Sequence, residues 1–333
     1  MKVIFTNQAG DASVLQAGDA PDPQITHSTD VLVQIKAAGV NPVDTKLRSR
    51  GTYYPGRYPA VLKCDGAGIV AAVGPAVKRF KEGDEVYFCH GGIGGEQGSY
   101  AEYKLVTEDC LAHKPKSLSF VQAAAAPLVI ITAWEALFDR CKLQAEDEAL
   151  IHAGAGGVGH VAIQLAKHRG ARVCTTVSSP AKAQLVKELG ADEAINYRER
   201  DFVEAVVNWS QHGGVRVAFD TVGGATFAQT FGAVQFYGDL VTLLQPGPDV
   251  DWKVARNRNL RISYELMLSP MFYGLKKEQH NQRLILEQAA ALFDSGKLRI
   301  HVSKTLPFSE VAHAHQLIEA GGVSGKIVLD LSL

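Results

Sequence analysis

The chain has 333 residues, of which 46% are hydrophobic and 21% are charged, and its formal net charge is −1. This length and composition predict a globular protein of about two domains, each with its own core. The near-zero charge gives no electrostatic basis for binding nucleic acid or an anionic membrane surface. The longest apolar run, residues 123–134, is too short to span a bilayer. The five cysteines lie far apart without a C-x-x-C pair, which favours a reducing, cytoplasmic location.

Up to about residue 120 the sequence is typical of strands and turns. Apolar, β-branched runs at 31–40 and 67–74 are bounded by Gly, Pro and Asp, and residues 81–88 form a turn that leads into a further strand. Residues 99–106 alternate with a period of two. This part of the chain is predicted to form a β-rich module of barrel type.

From about Phe120 onward, strands alternate with helices. Predicted strands at 148–153, 172–178, 194–197 and 216–223 are separated by predicted helices of 9 to 11 residues, and strands at 238–244 and 260–266 complete the set. Such alternation indicates βαβ units and therefore a doubly wound parallel sheet in an α/β fold. The chain is thus divided into a first domain (1–122), a nucleotide-binding domain (123–270) and a C-terminal segment (271–333) that returns to the first domain.

A glycine-rich turn follows the first of these strands. Gly154, Gly156 and Gly159 fit the pattern G-x-G-x-x-G between an apolar strand and a helix, which is the context in which the pattern binds a dinucleotide. The three glycines are assigned to the tight turn, to the approach of the pyrophosphate and to close helix–strand packing. Gly157 and Val158 belong to the same turn, and the helix start offers free N–H groups to phosphates.

The end of the second strand indicates which dinucleotide is bound. An NAD site usually places an acid about 20 residues beyond the glycines, to hold the ribose 2′-OH. Here the strand ends in Ser178 and Ser179, and the first acid is Glu188. The nearest charged side chain is Lys182, a cation suited to a 2′-phosphate. The sequence therefore predicts NADP(H).

Several motifs together resemble the quinone oxidoreductases and zeta-crystallins of the medium-chain dehydrogenase/reductase superfamily. They lie in the expected order at 37–56 (AAGVNPVDTKLRSRGTYYPG), 64–74 (CDGAGIVAAVG), 154–159 (GAGGVG) and 178–202. The resemblance covers nearly the whole chain. It implies a GroES-like catalytic β-barrel domain, a Rossmann domain, and a cleft between them for nicotinamide and substrate.

The resemblance also implies roles for individual residues. Lys182 and Tyr197 match positions that contact the 2′-phosphate side of the cofactor, while Asn41 and Thr132 match positions near the nicotinamide. Tyr53 matches a tyrosine of the substrate pocket. A second pocket tyrosine, in the family's DTY, is replaced here by Lys46. This departure makes a carbonyl or enone substrate with an anionic group more plausible.

The resemblance further implies that the catalytic zinc of the related alcohol dehydrogenases is absent. The matching positions are Asn41, Cys64 with Asp65, and Leu128, so two of the three ligands are lost. The cysteines of a structural zinc lobe are missing as well. An alternative, adventitious site would use Cys64 and Cys89 with His90 and Glu96.

For some polar residues the sequence allows two interpretations. Asp44 is expected either to orient its loop or to cap a helix beginning at Thr45. Asp220 either lines the ligand crevice or caps the next turn. His313 and His315 are two residues apart on a predicted helix, so they are expected to be solvated and make a poor metal pair.

The sequence therefore predicts an enzyme that transfers hydride from NADPH, without a metal, to a quinone or an α,β-unsaturated carbonyl. An enoyl-thioester reductase and a non-catalytic NADPH-binding redox sensor or crystallin-like protein are the alternatives. The physiological substrate stays open, as does the proton donor (a tyrosine, Lys46 or water). A homodimer joined through an edge strand at 260–266 is expected, unless residues 271–274 cover that edge and leave a monomer.

Overall fold

The computed structural model describes all residues from Met1 to Leu333. The strands are, in chain order, β1 (Lys2–Phe5), β2 (Gln16–Asp19), β3 (Asp30–Val40), β4 (Asp65–Val73), β5 (Glu85–Cys89), β6 (Tyr103–Thr107), β7 (Leu111–His113), β8 (Glu148–Ile151), β9 (Arg172–Val177), β10 (Glu193–Asn196), β11 (Val215–Asp220), β12 (Val234–Thr242), β13 (Arg261–Tyr264), β14 (Val302–Pro307) and β15 (Lys326–Asp330).

The α-helices are α1 (Pro42–Arg50), α2 (Phe120–Ala125), α3 (Pro127–Trp134), α4 (Gly159–Arg169), α5 (Pro180–Glu188), α6 (Phe202–Trp209), α7 (Gly224–Ala233), α8 (Lys253–Asn257), α9 (Ser269–Phe272), α10 (Lys276–Asp294) and α11 (Val311–Ala320). The chain divides into two compact units, Met1–Leu128 with Leu268–Leu333, and Val129–Met267. We call them the terminal unit and the central unit. None of the helices combines the length and hydropathy needed to cross a membrane.

The terminal unit is built on a seven-stranded sheet. Its strand order is β14-β15-β3-β4-β5-β7, and β6 also pairs with β3. The C-terminal strand β15 lies antiparallel to β3, with Ile327 opposite Val40 and Asp330 opposite Ala37. Long strand β3 therefore joins the first hundred residues to the end of the chain, and apolar side chains such as Val31, Val33 and Val70 form the core beside it.

The central unit is a parallel sheet in the order β10-β9-β8-β11-β12-β13, with every neighbouring pair parallel. In order of appearance the strands run 3-2-1-4-5-6, the doubly wound order of dinucleotide-binding folds. The order reverses between β8 and β11, and ligands of such sheets bind beyond the carboxyl ends of the strands at that point. The fold class expected from the sequence, a Rossmann sheet with a second, β-rich unit, is confirmed.

Local structure departs from the sequence prediction at two of the polar residues. Helix α1 begins at Pro42 and so includes Thr45, because Asn41 is its N-cap and Asp44 accepts the backbone N–H of Asn41 at 2.8 Å. His313 is exposed as expected, but the expectation for His315 is wrong: its ring is buried and its Nε2 lies 2.9 Å from the Tyr100 hydroxyl. Long-range packing of α11 decides this burial.

All five cysteines are free and buried. Burial raises the pKa of Cys110 and of Cys141 to about 12, and it raises the pKa of Cys174 as well. A contact with the Cys64 thiol, together with burial, raises the pKa of Cys89. The four thiols with raised pKa values are therefore protonated and poorly nucleophilic in the folded protein.

Candidate active site

The glycine-rich turn of the central unit joins β8 to α4 at the point where the strand order reverses. A Cβ on Gly159 would lie 2.3 Å from the Ala153 carbonyl oxygen, and a Cβ on Gly154 would lie 2.0 Å from Thr175 Oγ1. Gly154 and Gly159 are therefore required by close packing. The left-handed residue of the turn is Ala153, with φ of 49°, so the tight turn assigned to Gly154 lies one residue earlier.

Gly156 differs from the other two glycines. A Cβ built there meets only the Ala153 carbonyl oxygen, at 3.1 Å, and is otherwise in open space. Helix α4 starts three residues later, and its N-cap, Val158, makes no side-chain hydrogen bond to the first turn. The N–H groups at the start of a helix have no partner within the helix. Because the N–H groups of Gly156 and His160 donate to backbone carbonyls, the residues between them, 157–159, supply the N–H groups of a cradle suited to an anion.

A buried histidine behind this turn was not singled out from the sequence. His152 directly follows β8, and its two ring nitrogens lie 3.1 Å from Thr176 Oγ1 and 2.9 Å from Thr230 Oγ1. Burial lowers the pKa of His152 to about 4, although Asp220 opposes this shift. The neutral ring therefore ties β8 to β9 and α7. A polar residue at the end of an otherwise apolar strand was the available signal.

The residues predicted to select the dinucleotide follow two neighbouring strands. Ser178 and Ser179 follow β9, Tyr197 follows β10, and the pairing of Asn196 with Val177 sets these strand ends side by side. Ser179 caps α5 by accepting the Lys182 N–H at 3.3 Å. The Lys182 side chain is half-buried and Tyr197 is exposed. No acidic side chain stands at the end of β9, as the sequence indicated.

Two further residues of the central unit were of interest. Asp220, at the end of β11, accepts N–H groups of Val222 and Gly223 at 2.9 Å and the Thr242 hydroxyl at 2.8 Å. Of the two roles considered for Asp220, capping of the next turn is therefore the one observed. Thr132 is buried on α3.

In the terminal unit, Asn41 is fully buried and its amide is held from both sides. Its Nδ2 donates to Asp65 Oδ2 at 2.7 Å, and its Oδ1 accepts a hydrogen bond from the Lys326 ammonium. A flipped amide would turn N–H toward an ammonium and oxygen toward a carboxylate, so the charges fix its orientation. Lys326 also donates to the Val40 carbonyl at 3.1 Å.

A second buried lysine completes this cluster. Lys63 Nζ lies 3.1 Å from Asp44 Oδ2 and 3.3 Å from Asp65 Oδ2, and the three side chains are 0% exposed. Lys63 also has a φ of 93°. This left-handed conformation costs a residue other than glycine on the order of 1 kcal/mol or more. We call Asn41, Asp44, Lys63, Asp65 and Lys326 the charge cluster.

The pKa values of this cluster follow from burial and from its opposite charges. Burial by itself lowers the pKa of Lys63, but Asp44 and Asp65 outweigh it, so the pKa is raised and the ammonium stays charged. Burial lowers the pKa of Lys326 to about 8 despite Asp65. Burial also raises the pKa of Asp44, opposed by Lys63. Sequence reasoning missed both lysines, although a lone lysine within the apolar run AVLKCDGAG was a visible signal.

The other two predicted site residues of the terminal unit are more accessible. Lys46 is exposed on α1, and partial burial together with Arg50 lowers its pKa. Tyr53 is half-buried, and its ring centre lies 5.1 Å from that of Phe272. Burial raises the pKa of Tyr53, which keeps its hydroxyl protonated. Phe272, on α9, was not predicted from the sequence as a neighbour of Tyr53.

The residues at the positions expected for a catalytic zinc do not suit a metal ion. Asn41 is a neutral amide whose oxygen already accepts from an ammonium, and Leu128 offers only its N–H, which binds Asp65 Oδ1 at 2.9 Å. Two buried ammonium groups would repel a divalent cation placed beside Asp65. No group of three or more His, Cys, Asp and Glu side chains is arranged to hold a metal.

The alternative metal set likewise does not converge on one point. Buried His90 has its Nε2 3.1 Å from Oε2 of the exposed Glu96, while Cys64 and Cys89 are buried. Burial lowers the pKa of His90 to about 4. His90 and Glu96 line a cavity of about 890 Å³ in the terminal unit, which also includes Tyr54 and Arg57 but none of Asn41, Lys46 and Tyr53.

Comparison with protein families matches both parts of the chain. Residues 27–116 match the alcohol dehydrogenase GroES-like domain, and residues 189–329 match the zinc-binding dehydrogenase family. Quinone oxidoreductase 1 of Escherichia coli is 31% identical over 328 residues, which cover 98% of this chain and 98% of that protein.

Solved structures of similar proteins cover the whole fold. The structure of Escherichia coli quinone oxidoreductase complexed with NADPH has a TM-score of 0.86 at 29% identity, and the match covers 99% of this chain and 100% of that one. An NAD-dependent alcohol dehydrogenase has a TM-score of 0.89 at 30% identity, with 99% and 100% covered. A relative complexed with NADPH and a relative named as NAD-dependent therefore share this fold.

Proposed function

Because the chain belongs to the medium-chain dehydrogenase/reductase superfamily, with quinone oxidoreductases among its relatives, we propose that it reduces a quinone or an α,β-unsaturated carbonyl with NADPH and without a metal ion. The observation that carries this proposal is the charge cluster. By the family resemblance, Asn41 matches the position of a zinc ligand, and Lys326 and Asp65 hold its amide. A conjugated acceptor suits such a site, since conjugation spreads the charge that hydride brings.

The choice of NADPH is supported by the central unit. The cradle around Gly156 suits the pyrophosphate. The half-buried Lys182 side chain, close in sequence to Ser178 and Ser179, supplies an ammonium group suited to a 2′-phosphate. The end of β9 lacks the acid that would bind a free 2′-OH. When bound, the cofactor supplies the hydride from C4 of its nicotinamide.

The side chains of this protein would then orient reactants and supply a proton. One N–H of Asn41 Nδ2 donates to Asp65, which fixes the amide plane. Thr132 is proposed to lie near the nicotinamide, as the family resemblance implies. Tyr53, protonated because burial raises its pKa, and Lys46 are the candidates to give the proton, with water as the third.

A turnover assay tests this function. We expect NADPH oxidation with 1,4-benzoquinones or enones, a smaller rate with NADH, and no change on adding a zinc chelator. Elemental analysis should find well under one zinc per chain. Turnover with enoyl thioesters alone would favour an enoyl-thioester reductase, and NADPH binding without oxidation by any acceptor would favour a redox sensor. Stoichiometric zinc with chelator-sensitive turnover would contradict the metal-free proposal.

The assembly we propose is a homodimer joined along the central sheet. Strand β13 is an edge strand that pairs only with β12. Its Tyr264 is 54% exposed, and Leu266 just beyond it is 49% exposed. An open apolar edge is prone to pair with another chain, and pairing with its own copy across a two-fold axis closes it.

A further inference from the structure

The charge cluster includes Asn41 and Asp65, which lie where the sequence resemblance expects zinc ligands, and it brings two lysine ammonium groups to the same place. We propose that Lys63 is a built-in cation: its ammonium neutralises Asp44 and Asp65, and it thereby lets Asp65 hold Asn41 in the orientation used for hydride transfer. Lys63 is thus a positioning residue that acts through Asp65 and Asn41. That this orientation of Asn41 serves hydride transfer rests on the proposed function, whereas the hold of Asp65 on Asn41 does not.

The charges of the cluster require a cation at this place. Asp44 and Asp65 both point an Oδ2 at Lys63 Nζ, at 3.1 and 3.3 Å, and both carboxyl groups are 0% exposed. Two carboxylates without a cation could not both stay ionised in such a site, because burial and mutual repulsion disfavour the charged forms. Lys326 does not replace Lys63, since its Nζ is directed to Val40 and Asn41.

The backbone conformation at Lys63 also indicates that the lysine is there for its ammonium group. Its φ of 93° is a conformation in which glycine is at ease and lysine is not. The chain also packs tightly around it: a Cβ on Gly92 would lie 2.3 Å from the Lys63 carbonyl oxygen, and one on Gly98 would lie 2.7 Å from the same oxygen. The backbone thus gives no reason for a lysine here. The reason lies in the ammonium group and its two carboxylates.

Asp65 connects this cation to Asn41. Its Oδ2 is shared between Lys63 Nζ at 3.3 Å and Asn41 Nδ2 at 2.7 Å, and its Oδ1 is fixed by the Leu128 N–H at 2.9 Å. If Asp65 became protonated or turned away, Asn41 would lose the acceptor that fixes its amide. A misplaced group of this kind can cost about 10²-fold in rate.

Another buried lysine of the same unit provides a matched control. Lys104 is also 0% exposed, but its ammonium donates to the Gln97 carbonyl and contacts neither Asp65 nor Asn41. Removing its charge tests what the loss of a buried ammonium does to the fold alone. Lys63→Gly provides a second comparison, because it removes the charge and relieves the backbone at the same time.

The test compares Lys63→Met, Lys63→Gly and Lys104→Met by NADPH oxidation with a 1,4-benzoquinone, at equal concentrations of folded protein. We expect kcat to fall about 10²-fold in both Lys63 variants, with the Kd for NADPH within about threefold of wild type, and kcat to be retained in Lys104→Met. In an Asn41→Ala background, Lys63→Met should add little, because the two residues act as one unit. Retained kcat in Lys63→Gly, an equal loss in Lys104→Met, or additive effects with Asn41→Ala would overturn the proposal.

A readout without turnover separates this proposal from the proposed function. The Asn41 side-chain amide, identified in NMR spectra by its loss in Asn41→Ala, should be protected from hydrogen exchange in wild type and Lys104→Met but not in Lys63→Met. If Lys63→Met does not fold, Asp44→Asn/Lys63→Met removes both charges of one pair and serves instead. An amide equally protected with and without Lys63 would refute the hold on Asn41. A wild type that oxidises NADPH with no acceptor would refute only the function.

Discussion

The glycine turn of the central unit and the charge cluster of the terminal unit are two opposite ways to build a binding site. The turn offers main-chain N–H groups, and its packing contacts join Gly159 to Ala153, within the same turn, and Gly154 to Thr175 on the next strand, β9. The cluster consists of side chains, and its Lys326–Asn41 contact spans 285 residues. A site made from backbone leaves a local motif in the sequence, whereas a site made from distant side chains does not.

The two regions also differ in where charge is buried. In the central unit each ion pair includes a partly exposed partner, such as Arg172 with Glu148 or Arg140 with Glu265. In the charge cluster, Lys63, Asp44 and Asp65 are all 0% exposed. We therefore expect steric changes to damage the first site most and charge changes to damage the second.

The largest effect is expected at Gly159. In Gly159→Ala the new Cβ would meet the Ala153 carbonyl oxygen at 2.3 Å, so the turn must open; we expect a loss of stability near or above about 3 kcal/mol and no measurable NADPH binding. Gly156→Ala is the matched control: its Cβ would meet the same oxygen at 3.1 Å, which a small shift relieves, so the fold should persist with weaker NADPH binding. Denaturant unfolding and fluorescence titration measure both. Equal stability of the two variants would show that the turn is not packed as described.

Acid should destabilise the central unit through His152. Its pKa is about 4 in the folded protein and about 6.5 when unfolded. The unfolded chain therefore takes up the proton first, and stability present above pH 6.5 is lost as pH falls toward 4, by about 3 kcal/mol. The free energy of unfolding, measured at each pH from 7 to 4, should fall less in His152→Gln than in wild type, by that amount. The buried His90 and His315 are present in both proteins, so their contributions cancel; parallel curves would contradict the assignment.

Lys182→Ala should weaken NADPH binding and leave NADH binding nearly unchanged. A hydrogen bond to a charged group contributes about 1.5–3 kcal/mol, so the Kd for NADPH should rise roughly 10- to 100-fold. Titration of both cofactors against wild type and variant measures this, with NADH as the internal control. Equal weakening for both cofactors would mean that Lys182 does not bind the 2′-phosphate.

The smallest effect concerns assembly. Two chains of 35.8 kDa should give a mass near 72 kDa in light scattering at micromolar concentration. Tyr264→Lys places a charge on the exposed edge strand β13 and should shift the mass toward the monomer, while the fold remains. A wild-type mass that stays at the single-chain value across dilution would rule out the dimer.

The sequence was sufficient to predict the doubly wound parallel sheet and the glycine turn that follows its first strand, because periodicity and turn residues act locally. That Asn41 and Leu128 stand at positions of lost zinc ligands stays a prediction. The sequence did not predict the burial of His315 or the pairing of Lys63 with Asp44, because each depends on which distant elements meet. Nor did it predict that Ala153, a residue with a Cβ, takes the left-handed position of the turn.

The burial of all five thiols has a consequence if the acceptor is a quinone, as proposed above. Quinones are electrophiles that add to thiolates, and such an acceptor would arylate an exposed, ionised cysteine near it. Here every cysteine is buried, and the pKa values of Cys89, Cys110, Cys141 and Cys174 are raised, so neither access nor ionisation favours the addition. Under the proposed function, burial of the thiols would protect the chain from its own acceptor, and alkylation of a cysteine by a quinone would report the opening of the fold.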